Sequence, residues 1–391
     1  MIHVEKALEL IEGSISTNKP KKLALENVVG CVVAEDIISS INMPPYRQSA
    51  MDGYAIKLDN TSDYKVIGES KAGKNTELLN KEKEAVRIFT GAMVPEGADT
   101  VVIQEHVTRS ENSIHINKLP PQGANVRAIG EQVKQGDVVL NKGSIINEAT
   151  IGFLAGLGIS NITVYRKPKI CIIATGDELV KPGNKLKPGK VFESNTIMLQ
   201  TALKRIGIRK VKTYKAKDTL NDTKTLIKRG LAAFDVVLIS GGISVGDYDF
   251  VKESLSANDV EEIFHNVNQK PGKPFYFGKK EKNLVFGLPG NPASSLTCFY
   301  VYVIPAIRKM MGYKQIHLSK NKVKAASEIN NESGKSLFLK ARVDNDVVTV
   351  LDGQNSSMLK SFAQSNVLAY VPSDKTNIKE GEQVECLNLI F

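Results

Sequence analysis

The run Lys169-Ile170-Cys171-Ile172-Ile173-Ala174-Thr175-Gly176-Asp177-Glu178-Leu179 decides the fold class, because an apolar stretch stops abruptly at a polar, glycine-bearing turn. Ile170–Ala174 reads as a strand, and the segments after it keep alternating. A helix is expected over Thr196–Ile206, a strand over Lys210–Tyr214, a helix over Leu220–Gly230, a strand over Asp235–Ile239 and a helix from about Tyr248. Strand-like Phe275–Phe277 and Leu284–Phe286 follow, then a helix after Pro292 to about Met311. Interleaved strands and helices of this kind make a doubly wound α/β domain, here over residues 166–315.

On the N-terminal side the pattern loses this regularity. Val4, Ala7, Leu8, Leu10 and Ile11 have the spacing of an amphipathic helix, and a second helix signal lies near Glu148–Ala155. Between them, short β-rich runs such as Ala85-Val86-Arg87-Ile88-Phe89 alternate with Gly, Pro and Asn turns. Residues 1–165 therefore read as a mixed helix and β-rich region, most simply two subdomains with a β-rich insert at about 55–135. After Gly312-Tyr313, short strands separated by Asn, Gly, Ser and Asp turns predict a small β-barrel-like domain over 316–391.

At 391 residues the chain exceeds what one core usually organises, which agrees with several domains. No export signal and no membrane-spanning run are expected, so the composition is that of a cytoplasmic globular protein. Cys31, Cys171, Cys298 and Cys386 are far apart and form no CxxC pair, which reads as idle thiols in a reducing compartment. The net charge of +10 is spread over single residues and short pairs without interleaved aromatics, favouring an anionic small ligand over nucleic acid or lipid.

Ligands of open α/β sheets bind beyond the carboxyl ends of strands, where backbone N–H groups face an anion. Four polar loops fall at such positions: Thr175–Leu179, Ser240–Asp249, Lys270-Pro271-Gly272-Lys273-Pro274 and Leu288-Pro289-Gly290-Asn291-Pro292-Ala293-Ser294-Ser295. Gly241, Gly242 and Gly246 permit positive φ and close approach to the main chain, while Ser240 and Ser244 can donate hydroxyl hydrogen bonds. Any one such loop is more often a plain turn; four on one edge are harder to dismiss. Lys270 and Lys273 offer two cationic donors to an oxyanion, against the bland reading of a solvated turn. Asn291-Pro292 resembles an N-cap with proline in the first turn, which would leave the Ser294 and Ser295 N–H groups near a positive helix end. Asp177, Glu178, Asp218 and Asp249 lie at strand-to-helix junctions, where carboxylates cap helices, coordinate Mg²⁺ or hydrogen-bond a ligand; capping is the commoner role. No Walker or Rossmann glycine motif is present.

Together with Ser49-Ala50-Met51-Asp52-Gly53-Tyr54-Ala55 and Thr90-Gly91-Ala92, these loops occur in the order and approximate spacing of a known family. The chain resembles, over nearly its whole length, the molybdopterin molybdenumtransferases, called MoeA in bacteria and represented in animals by the E domain of gephyrin. The resemblance implies insertion of molybdate into adenylylated molybdopterin with release of AMP. It implies a homodimer with composite active sites, and Mg²⁺ as cofactor. By motif position it places Asp52, Thr90 and Glu178 among the functionally important polar residues. It places pterin or nucleotide contacts at Asp218, Gly241, Gly242, Ser244 and Asp249, and molybdate contacts at Lys270, Lys273 and Ser294. The family's C-terminal arginine aligns with either Lys340 or Arg342, and Ser356, Ser357, Ser361 and Ser365 are too crowded to assign. A transient contact with the preceding enzyme, the molybdopterin adenylyltransferase, is a further expectation. That adenylyltransferase is itself the nearest alternative reading, and a non-catalytic scaffold of the same fold is another.

Overall fold

The computed structural model describes residues 1–59, 61–74, 81–243 and 250–389. The chain divides into two compact units: Met1–Ala34, Ile145–Asn147 and Thr163–Phe391 form one, Glu35–Ser144 and Glu148–Ile162 the other.

The larger unit is built on a six-stranded sheet. Its strands are β1 (Ile170–Thr175), β2 (Val211–Ala216), β3 (Val236–Ser240), β4 (Glu261–His265), β5 (Tyr276–Lys280) and β6 (Asn283–Leu288), in the spatial order β2-β1-β3-β6-β5-β4. β2, β1, β3 and β6 run parallel, and β5 and β4 close the edge antiparallel. Successive residues of a strand face opposite sides, so Ile170 and Ile172 enter one core and Cys171 and Ile173 the other.

The first core is covered by α1 (Val4–Gly13) and α2 (Asn195–Arg205) through Val4, Ala7, Ile11, Leu199 and Leu203. The second is covered by α3 (Leu220–Ala233) and α4 (Val251–Ser256) through Ile227, Val251 and Leu255. α1, expected with the N-terminal region, thus packs on the α/β domain. After β6 the chain enters α5 (Pro292–Cys298), passes a π turn over Phe299–Val303 and continues as α6 (Ile304–Met310). Beyond it, the strands Lys320–Ala325, Ser336–Asp344, Val347–Val350, Val367–Val371 and Gln383–Asn388 close into a five-stranded barrel. The doubly wound α/β domain and the small C-terminal barrel are therefore both present.

The smaller unit holds another six-stranded sheet, in the order Thr100–Ile103, Gly53–Ile56, Glu84–Ile88, Asp63–Ser70, Ser113–Ile116 and Val107–Ser110, together with the helix Glu148–Gly156. Gly53–Ile56 is buried throughout and pairs antiparallel on both sides. Gly53 has no alternative there, because a Cβ would lie 1.9 Å from the Val102 carbonyl oxygen. Among the described residues no helix is long and apolar enough to cross a membrane.

Candidate active site

The carboxyl ends of β1, β3 and β6 open onto a groove of about 650 Å³. Its floor is main chain. Gly241 and Gly242 have φ of +91° and +64°, where L side chains are strained, and a Cβ on either would approach the Thr175 Oγ1 to 2.9 Å. A ligand can therefore lie directly against the peptide backbone here, as the sequence implied. Ser244 and Asp249 lie outside the described residues.

Asn195, which no motif singled out, joins two of these loops. Its Nδ2 donates to Ser240 Oγ at 2.9 Å and to the Gly290 carbonyl at 2.8 Å, while its buried Oδ1 has no partner among the described residues. Because both partners are distant in sequence, local pattern gives no hint of this clamp.

Among the described residues the groove wall carries three carboxylates, Glu178, Glu193 and Asp218, and neither Lys nor Arg lines it. Glu193 is committed, accepting the Thr196 N–H at 2.7 Å in the first turn of α2. Asp218 caps no helix: Thr219 is the N-cap of α3, and Asp218 Oδ2 instead accepts the Asp177 N–H at 2.8 Å, tying the first loop to the second. Among the described residues, Asp218 Oδ1 and the exposed Glu178 carboxylate have no hydrogen-bond partner and remain for a ligand or cation. Among the described residues no three His, Cys, Asp or Glu side chains converge on a metal-sized point.

The lysine loop is of opposite character. Lys270 and Lys273 are exposed, and neither forms an ion pair among the described residues. The backbone beneath them is held firmly. Buried Gln269 donates through Nε2 to the Pro271 carbonyl at 2.9 Å and accepts the Tyr302 hydroxyl of the π turn at Oε1. Gln269–Lys270 also adds in parallel to Ser336-Leu337 of the barrel, and Pro274 at the loop's end lines the groove. Two unneutralised ammonium groups thus stand on an anchored loop at the groove's edge.

The expected helix end is present, but its N–H groups are already taken. Asn291 occupies the N-cap position of α5 with Pro292 in the first turn, but the Ala293 and Ser294 N–H groups donate to the Ser356 carbonyl at 3.1 and 3.2 Å. The Ser295 N–H donates to the Asn291 carbonyl at 2.9 Å. A carbonyl from the C-terminal domain has taken the place an anion would need. Ser294 itself is 2 % exposed and does not line the groove, whereas Ser357 does.

The structure also separates Lys340 from Arg342. Lys340 is buried, and its Nζ donates to the carbonyls of Gly353, Asn355 and Met358 at 2.6, 3.1 and 3.1 Å. Burial draws its pKa below the usual lysine value. It pins the loop carrying Ser356 and Ser357. Arg342 is exposed and pairs with Asp344 at 2.8 Å. Ser361 and Ser365 turn inward onto the carbonyls of Gly353 and Phe362, both at 2.7 Å.

In the smaller unit, Asp52 and Thr90 meet. Asp52 Oδ1 accepts the Thr90 N–H at 2.7 Å and its hydroxyl at 2.8 Å. These bonds, with a smaller contribution from the nearby Arg87, hold the Asp52 carboxyl below the ordinary carboxylate range. Arg87 is itself placed over the Tyr54 and Phe89 rings, 5.2 and 4.7 Å from their centroids.

Three family models match consecutive stretches of the chain: the MoeA N-terminal region (domains I and II) over residues 2–158, the probable molybdopterin binding domain over 171–309, and the MoeA C-terminal region (domain IV) over 322–389. The molybdopterin molybdenumtransferase of Haemophilus influenzae is 36% identical over 375 residues, covering 93% of this chain and 92% of that one. That of Staphylococcus epidermidis is 32% identical over 399 residues, covering 99% and 95%. Two crystal structures of a molybdopterin biosynthesis MoeA protein from Pyrococcus horikoshii superpose with TM-scores of 0.80 and 0.79, each at 30% identity and with at least 99% of both chains covered.

Proposed function

Because the chain belongs to the MoeA family, we propose that its groove and lysine loop carry out the family's transferase reaction, inserting molybdate into adenylylated molybdopterin with release of AMP, the last step of molybdenum cofactor biosynthesis. One observation carries the assignment of parts. Among the described residues, a glycine-floored groove without Lys or Arg lies beside an anchored loop bearing two lysines that form no ion pair. The groove suits an extended organic substrate; the loop suits a compact dianion. The N-terminal and C-terminal family domains flanking the α/β domain are parts of MoeA, and nothing favours the adenylyltransferase or scaffold readings.

Placement supplies most of the catalysis: holding molybdate beside the dithiolene replaces a bimolecular encounter by an effectively intramolecular one. Lys270 and Lys273 are the molybdate donors, each through charge-assisted hydrogen bonds. The Gly241-Gly242 main chain and Asp218 hold the pterin-nucleotide. Mg²⁺ is part of the proposal, since it is commonly held by one or two carboxylates plus substrate phosphates rather than by an all-protein cage. Glu178 and the free Asp218 oxygen are the groove groups that fit it, and when bound it would neutralise the pyrophosphate. Asp52, kept ionised by Thr90, is a catalytic carboxylate supplied by a second copy of the chain in a homodimer. We place the enzyme in the cytoplasm, receiving its substrate by transient contact with the adenylyltransferase.

The test is incubation of purified protein with adenylylated molybdopterin, Mg²⁺ and molybdate, following AMP release and reconstitution of an apo-molybdoenzyme. Both should depend on molybdate. Production of adenylylated molybdopterin from ATP would instead identify the preceding enzyme.

A further inference from the structure

The loop after β1 folds into a small flap. Leu179-Val180 pairs in parallel with Val191-Phe192, and the pairing is closed by the Val191 N–H on the Glu178 carbonyl at 3.0 Å and the Glu193 N–H on the Val180 carbonyl at 2.8 Å. Lys215 Nζ adds a bond to the Leu179 carbonyl at 2.6 Å, fixing the flap to the residue beside it on β2. The flap lines the groove with Leu179, Val191 and Phe192.

Phe192 is 45 % exposed and is the one aromatic side chain on the groove wall among the described residues. Burying a phenylalanine is favourable, so a ring held open on a fixed flap is a ready contact surface. The remainder of the groove narrows what that contact is. Its floor is glycine main chain, where no Cβ stands between a flat ligand and the peptide planes. Its polar groups, Asn195, Asp218 and Ser240, lie among the lining residues and suit the edge of a nitrogen heterocycle rather than an aliphatic chain.

We infer that Phe192 forms a stacking subsite for a planar nitrogen heterocycle of the substrate, making it a specificity-determining residue of the groove. This rests on the proposed function, whose substrate carries two such rings, a pterin and an adenine. A sequence-tolerant aromatic contact of this kind is usually worth about five- to hundredfold in affinity when truncated to alanine. Tyrosine preserves the ring and should preserve binding; leucine preserves apolar bulk but not the π face.

The experiment is equilibrium binding of two separate probes, AMP and molybdopterin without the adenylyl group, to the full-length wild type and to Phe192→Ala, Phe192→Leu and Phe192→Tyr, with oligomeric state checked by sedimentation. The expected result is a loss of roughly five- to hundredfold with Ala and Leu for the probe whose ring stacks, and wild-type affinity with Tyr. The probe that loses affinity identifies the ring. Four results would overturn the inference. Ala and Leu variants could bind both probes as wild type does; Leu alone could restore full affinity, showing bulk rather than stacking; or the variants could fall from dimer to monomer, showing that the flap covers a subunit contact. A wild type that binds neither probe overturns the reading of the groove together with the inference, whereas normal wild-type binding left intact by the substitutions overturns the inference alone.

Discussion

The groove floor and the lysine loop lie at the carboxyl edge of the same α/β domain but are built on opposite principles. The floor is made of what is absent: no Cβ at Gly241 or Gly242, and no cation among the described lining side chains. The loop is made of what is added, two ammonium groups without ion-pair partners among the described residues, on a backbone anchored through Gln269 and Tyr302. An extended substrate with many contacts can be recognised by shape and main-chain approach. A compact dianion offers few contacts and must be recognised by charge. The difference predicts that the two regions fail independently.

The largest effect is expected where the regions share a support. Lys340→Met removes a buried ammonium that bonds the carbonyls of Gly353, Asn355 and Met358, and a hydrogen bond to a charged group contributes about 1.5–3 kcal/mol. Thermal unfolding should shift down strongly, and the Ser356–Ser357 loop should no longer cap α5; Lys340→Arg should recover part of the loss. Unaltered unfolding would show that the loop is held by other bonds.

Next in size, Lys270→Ala should raise the molybdate concentration needed for AMP release by roughly ten- to hundredfold, the equivalent of a lost charge-assisted bond of about 1.5–3 kcal/mol. Steady-state titration with molybdate reads this out, and pterin-nucleotide affinity should be unaffected. The converse is Gly242→Ala. Its φ of +64° and its 2.9 Å approaches to Thr175 and Val251 should strain the turn by about 1–3 kcal/mol. Binding of the pterin-nucleotide should weaken, with the molybdate requirement of the remaining turnover unchanged. If both constants move together in either variant, the regions are not independent.

The smallest effect lies in the other unit. Asp52 has a folded-state pKa lowered by its bonds to Thr90, so its contribution to stability is present above the ordinary carboxylate value of about 3.9 and lost as pH falls through the lowered one. Thr90→Val removes the hydroxyl bond and keeps the backbone one, and should move the Asp52 titration upward. Carboxyl-resolved NMR titration would detect it; an unchanged midpoint would mean that the backbone N–H alone sets the value.

Much of this was legible in the chain itself. The Ile170–Thr175 strand, its parallel partners and the glycine turn after β3 follow from apolar runs ending in polar loops, because a sheet buried on both faces leaves that pattern. β4 was not foreseen: Glu261–His265 is an exposed antiparallel edge with few apolar residues. Asn195, and the structural role of Lys340, escaped for a common reason. Each acts through carbonyls or hydroxyls more than ten residues away, and a polar residue reads as surface unless those partners are known. That the Ala293 and Ser294 N–H groups of α5 are taken was not legible, because their acceptor, the Ser356 carbonyl, belongs to another domain. Asp52 and Thr90 were identified through the family motif, and nothing in local sequence foretells their hydrogen bonds.

The division of labour between groove and loop is tested most directly in the double variant Lys270→Ala/Lys273→Ala. Equilibrium binding of the pterin-nucleotide and the molybdate dependence of AMP release would be measured side by side with wild type. The account predicts unchanged pterin-nucleotide affinity and a molybdate requirement raised by more than either single substitution raises it. A double variant that loses pterin-nucleotide affinity while keeping the wild-type molybdate requirement would contradict it.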